Sequence, residues 1–73
     1  MAVPPQIVAG QRYREAQRRF LRRPGIEWIV EQAYTGTDGV AYVRLVNADD
    51  RTMRKTLSVA VLTDRHRFQR VEG

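Results

Sequence analysis

The clearest periodicity lies in the middle of the chain. Ile26, Trp28, Val30 and Tyr34 share one parity while Glu27 and Glu31 fall on the other, the period of two expected of a half-buried strand. Thr35-Gly36-Thr37-Asp38-Gly39 interrupts this pattern, and Asp38-Gly39 is a hairpin signal because both residues tolerate positive φ. Val40 to Val46 resumes with β-branched and aromatic residues, placing Ala41, Val43 and Leu45 on one face. Asn47-Ala48-Asp49-Asp50 predicts a second turn, since Asn and Asp side chains bond their own backbone. Met53, Lys55, Leu57 and Val59 then alternate with Arg54, Thr56 and Ser58 as a third long strand. Ala60 to Asp64 is too short for an independent helix and reads as one 3₁₀ turn that tucks Leu62 inwards. Arg65 to Val71, with Phe68 and Val71, predicts a last short strand.

The first third is less regular. Val3 to Gly10 is an apolar lead-in whose Pro4-Pro5 cannot sit in a central strand or inside a helix. The expectation is an extended arm over 1–9, with Ile7 and Val8 beginning to pack, followed by a single domain over 10–73. Gln11 to Arg23 admits two readings. As a helix, Tyr13, Ala16, Phe20, Gln17 and Leu21 fall at helical spacing with arginines opposite, and Pro24-Gly25 ends it. As a strand, Gln11-Arg12-Tyr13-Arg14 alternates, and the rest is a long loop held by Phe20 or Leu21. Gly10-Gln11 offers no Ser, Thr, Asp or Asn to cap a helix, which favours strand plus loop. The prediction is an all-β, five-stranded, strongly bent barrel whose closure covers its strand edges. The alternative is an α+β domain with a basic helix at 11–23.

The order of features resembles an SH3-like barrel. The likeness rests on Gly10-Gln11-Arg12-Tyr13-Arg14, Trp28-Ile29-Val30 and Val43-Arg44-Leu45-Val46-Asn47. It extends through Lys55-Thr56-Leu57-Ser58 and Leu62-Thr63-Asp64 to Arg67-Phe68-Gln69-Arg70-Val71. The chain is similar to short, uncharacterised bacterial proteins of this layout. That resemblance implies a fold more than an activity, because such barrels serve as ribosomal, transcription-factor, DNA-binding and peptide-binding modules. Eukaryotic peptide-binding SH3 domains resemble one another in an acidic, Tyr-rich loop region. The corresponding region here is basic, so recognition of proline-rich peptides is not expected.

Composition narrows the class. At 73 residues this is one small domain, 42% hydrophobic and 29% charged, without cysteine for a disulfide framework or a thiolate metal site. No apolar run approaches the roughly 20 residues of a membrane-spanning helix. Met1 to Pro5 lacks the charged start and apolar stretch of a secretion signal, so a cytoplasmic protein with no membrane partner is expected. Charge is uneven. The net +5 arises within the first 25 residues, where Arg12, Arg14, Arg18, Arg19, Arg22 and Arg23 face only Glu15. From residue 26 onwards seven cations balance seven acids. Twelve of the thirteen cations are Arg, whose forked donors suit phosphate and base edges. A concentrated cationic stretch attracts polyanions by releasing their counterions. The same six arginines would equally serve as a solvated loop that keeps a small protein soluble.

Candidate chemistry is sparse. The single histidine, His66, sits between Arg65 and Arg67, a poor setting for a general acid. Ser58 has no base beside it in sequence, and Asp49-Asp50 reads as a turn former. Gly36 and Gly39 belong to a hairpin, not to a phosphate-cradling strand-to-helix junction. No catalytic residue, cofactor or metal site is therefore expected. Trp28 and Phe68 could stack unpaired bases, but so small a chain is expected to bury them. Tyr13, Tyr34 and Tyr42 are the better candidates for exposure, and Tyr42 with Arg44 suggests either an exposed Tyr-Arg surface or a cross-strand pair. The expectation is a non-catalytic binding module whose candidates for nucleic-acid contact are Arg12, Arg14, Arg18, Arg19, Arg22 and Arg23. The partner would be RNA or DNA, and otherwise an acidic protein surface in a protein-interaction or assembly role.

Overall fold

Alternating apolar residues become strands where they can pair, and each tight turn has side chains that stabilise it. The computed structural model describes residues 7–16 and 25–71. Its elements are β1 (Arg12–Glu15), β2 (Glu27–Thr35), β3 (Ala41–Asn47), β4 (Arg54–Ser58), α1 (Val59–Leu62) and β5 (Phe68–Val71). All pairings are antiparallel, in the order β4-β3-β2-β1-β5. The architecture is all-β and consistent with a small SH3-like barrel. Arg12 to Glu15 is a strand, so a helix does not run through 11–23; residues 17–24, with Phe20 and Leu21, lie outside the described residues. Pro4-Pro5 also lies outside them, whereas Ile7 packs against the core and Val8 stays exposed.

The turns follow from Asp, Asn and Gly. In the β2–β3 hairpin the Gly36 N–H donates to Val40 O at 2.8 Å. Asp38 Oδ1 accepts from the Val40 N–H at 3.0 Å, and its Oδ2 accepts from the Tyr42 hydroxyl at 2.6 Å. Only Gly39 takes positive φ there, at 79°; Asp38 does not, and its carboxylate holds the loop. Between β3 and β4, Asn47 Oδ1 accepts from the N–H groups of Asp49 and Asp50 at 2.8 and 3.0 Å, as the sequence predicts.

Three local details depart from simple alternation. A bulge between Val30 and Gln32 inserts one extra residue. After it Ala33 stands opposite Val43, while Tyr34 stands opposite Tyr42 on the other face, so Tyr34 does not share a face with Trp28 and Val30. Ile26 precedes the strand and is exposed, as are Ala41 at the hairpin end and Met53 before β4. Val59 begins α1 rather than continuing the strand. That turn is α-helical, not 3₁₀: the Thr63 N–H donates to Val59 O at 2.9 Å, four residues back. Ser58 makes this possible by capping the Val61 N–H with its hydroxyl oxygen at 3.2 Å.

The core joins Tyr13, Trp28, Val30, Val43, Leu45, Leu62 and Phe68, with Ile7, Leu57 and Val61 packed against it. Burial of Trp28 and Phe68 agrees with expectation. Tyr13 does not: at 6% exposure it is a core residue, because β2 and β5 flank it on either side and place Trp28 and Arg70 beside it. The edge strands β4 and β5 do not pair with each other among the described residues, so the sheet curls into a half-barrel with an open seam.

A single cation crosses that seam. Lys55 stands opposite Leu45 on the core side of β4, as its parity predicts. Its Nζ reaches Glu15 Oε1 at 2.8 Å and lies 4.2 Å from the Trp28 ring centre and 5.1 Å from that of Phe68. Side chains of β4, β1, β2 and β5 thus meet at one ammonium group. Attraction to two ring faces adds to an ion pair whose partners are both about one-third exposed, at 28% and 34%. Replacing Lys55 by Gln is expected to lower unfolding stability by about 1–2 kcal/mol, and Glu15→Gln by about half that. Urea denaturation checks this through the midpoint, with the slope unchanged.

Candidate nucleic-acid interface

The sequence-predicted arginines divide into two groups. Arg12 and Arg14 extend from the solvent face of β1, alternating with buried Tyr13. Arg12 lies 3.5 Å from Glu27 on β2, so part of its charge is already matched. Arg14 stands between Gln69 of β5 and Glu27 of β2 in register, and makes no ion pair among the described residues. Arg18, Arg19, Arg22 and Arg23 lie outside the described residues.

The ends of that basic segment are nevertheless placed. The Ala16 N–H donates to Arg67 O at 2.8 Å, and the Glu15 N–H donates to Ile26 O at 2.8 Å. A Cβ on Gly25 would come within 1.9 Å of Glu15 O, so only glycine permits this approach of the returning chain. Ala16 and Gly25, the described residues on either side of 17–24, thus both lie at one end of β1, beside the start of β5.

Pairing of the first and last strands sets further cations beside β1, although Arg70, opposite Tyr13, lies on the other face from Arg12 and Arg14. Arg65, Arg67 and Arg70 are all exposed, in the turn before β5 and on β5 itself. Arg67 is 3.7 Å from Asp64, while Arg65 and Arg70 have no ion pair among the described residues. These three were missing from the sequence-derived set, because the β1–β5 pairing that sets them beside β1 joins opposite ends of the chain. Three acids share this part of the sheet, Glu15, Glu27 and Asp64, each paired with a cation; Asp38 is in the β2–β3 turn, with Asp49 and Asp50 in the β3–β4 turn. Arg54 is matched by Glu31 at 2.6 Å, and Arg44 and Arg51 lie on β3 and the following turn, away from β1 and β5.

Two shallow grooves border this flank. One, of about 630 Å³, runs along β1, α1 and β5, with Tyr13, Leu62 and Phe68 on its apolar side and Arg65, Gln69 and Arg70 around it. The other, of about 520 Å³, lies over the seam and contains the Lys55–Glu15 pair beside His66 and Arg67. The His66 backbone N–H donates to Asp64 Oδ1 at 2.9 Å, which fixes the turn. Tyr34 and Tyr42 form a half-buried cross-strand pair with ring centres 5.8 Å apart, the packing alternative for Tyr42. No helix among the described residues is long and apolar enough to cross a membrane. No protein-family model matches the chain, and no curated protein or solved structure does either.

Burial raises the Tyr13 phenol above its usual value of 10.0, and the nearby Arg70 charge opposes that shift by favouring phenolate. The folded state holds this proton longer than the unfolded chain does. Its stabilising contribution is therefore complete below pH 10.0 and is lost as pH rises through the folded value. Arg70→Gln is expected to move the Tyr13 titration further up. NMR of the Tyr13 ring carbon bonded to oxygen reads the shift directly, and a downward displacement would contradict the placement of Arg70.

Proposed function

We propose that this protein is a non-catalytic binding module that engages the phosphates of RNA or DNA through the arginine-bearing flank of β1 and β5. The observation that supports this reading most is that Arg14 on one face of the β1–β5 pair, Arg70 on the other and Arg65 in the turn before β5 are exposed and without acidic partners among the described residues, close to where the chain leaves the sheet at Ala16. Arginine forks donate two parallel hydrogen bonds to a phosphate, and each neutralised phosphate releases bound counterions. The half-barrel acts as a rigid mount, and Arg18, Arg19, Arg22 and Arg23 add to the charge of the first third of the chain. Such contacts position the protein on a polyanion without reading its bases.

Binding of a fluorescent random oligonucleotide across a salt series tests this. Affinity should fall steeply with log salt. Replacing Arg18, Arg19, Arg22 and Arg23 by Gln should reduce the log–log slope by about 3 while leaving stability within about 0.5 kcal/mol. Absence of binding at low salt would refute the reading and leave an acidic protein surface as the partner to examine. A collapse of stability in the fourfold variant would assign those arginines to structure.

A further inference from the structure

The outer edge of β5 carries backbone groups that the sheet does not use. The Ala16 N–H donates to Arg67 O at 2.8 Å, so the residues whose backbone faces β1 are Arg67, Gln69 and Val71. Phe68 and Arg70 therefore turn their backbone groups away from β1. The Phe68 N–H is taken by Asp64 O at 2.9 Å. The Phe68 carbonyl and both backbone groups of Arg70 have no partner among the described residues. Two acceptors and one donor thus face outwards beside the groove that Leu62, Thr63 and Arg65 border. Gln69 and Arg70 are exposed there.

Backbone groups in this state are the means by which an extended segment adds to a sheet. Charge decides which segment. Arg65 and Arg70 border the groove, no carboxylate lines it, and neither arginine has an ion pair among the described residues. Arg70 stands opposite Tyr13 on one side, so a residue paired with it on the other would set its side chain beside the guanidinium. A second copy of β5 would bring cation against cation. The edge of β4 makes no such selection, because Arg54 is matched by Glu31 and Lys55 by Glu15.

We infer that the outer edge of β5 receives an extended acidic segment of another protein as a further strand, held by the backbone of Phe68 and Arg70, with its carboxylates at Arg65 and Arg70. This goes beyond the phosphate reading, since a nucleic-acid strand offers phosphates to the arginines but no peptide groups to continue a ladder. Affinity comes from main-chain bonds and ion pairs. Tyr13, Leu62 and Phe68 are buried beneath and need present no surface of their own. Residues two apart share a face of a strand, so acids at alternate positions of the segment are favoured.

The test titrates the full chain with a labelled peptide of alternating Glu and Val, reading binding by fluorescence anisotropy and backbone amides by NMR. Binding should slow hydrogen exchange at the Arg70 amide, which points outwards, and leave that of Gln69, which faces β1, unchanged. With a glutamate opposite Arg70, the peptide's glutamate amides face β5 and its valine amides face away. N-methylation of the glutamates should therefore abolish binding, whereas N-methylation of the valines should preserve it. Arg65→Gln and Arg70→Gln should each weaken binding about threefold, the worth of one exposed ion pair. Should Arg70→Gln lose stability, Arg65→Gln, in an exposed turn, carries the comparison. Equal binding of the two methylated peptides would reduce the contact to charge attraction and overturn the added strand. No binding, an Arg70 amide left unprotected at saturation, or equal binding of a lysine–valine peptide would overturn it as well.

Discussion

One ammonium group lies where four strands of the half-barrel meet. The two edge strands do not pair among the described residues, yet Lys55 from one edge touches Glu15, Trp28 and Phe68, and Phe68 belongs to the other edge. Backbone hydrogen bonds hold each neighbouring pair of strands. Across the seam the edges are linked by the core, where Leu57 of β4, Val61 and Leu62 of α1 and Phe68 of β5 pack together, and by the side chains clustered at Lys55. A cation suits this place because it attracts both ring faces while its own charge is balanced by Glu15 and partly wetted. Charge on the edge strands, at Arg54 and Arg70, also discourages pairing with another copy of the chain.

The same locus contains the core's one unmet demand. Trp28 Nε1 is buried with no hydrogen-bond partner among the described residues, an omission that costs about 1–3 kcal/mol. Burying a tryptophan removes on the order of 150–250 Å² from water, which at about 25 cal/mol/Å² stabilises by about 4–6 kcal/mol. Burial therefore wins, and the ammonium over the ring face adds to the margin. In a chain with seven residues in its buried core cluster, losing that indole from the interior would cost more than leaving its N–H unmatched.

Much of the fold was legible because it follows from short-range chemistry. Asn47 with Asp49 and Asp50, and Asp38 with Gly39, announce their turns, and Val43 and Leu45 announce the inner face of β3. The bulge at Glu31 was not legible, since alternation alone cannot show where a strand gains a residue. Nor was the burial of Tyr13, which depends on β5 arriving from the far end of the chain. Lys55 was placed on the apolar parity, but its partner Glu15 is 40 residues away and becomes visible only once the sheet curls. Long-range pairing limited the candidate site in the same way. Arg12 and Arg14 could be read from the sequence, whereas Arg65, Arg67 and Arg70 join them only through the β1–β5 ladder. The seam and the cationic flank are thus two results of one event, the docking of the last strand on the first.

Native-state hydrogen exchange of the Lys55→Gln variant tests that event most directly. If the seam cation holds the curl, amides of β4 and β5 lose protection together while the central β2–β3 ladder keeps its own. Loss confined to β4, or no loss at either edge, would contradict the claim that this one side chain links the two ends of the sheet.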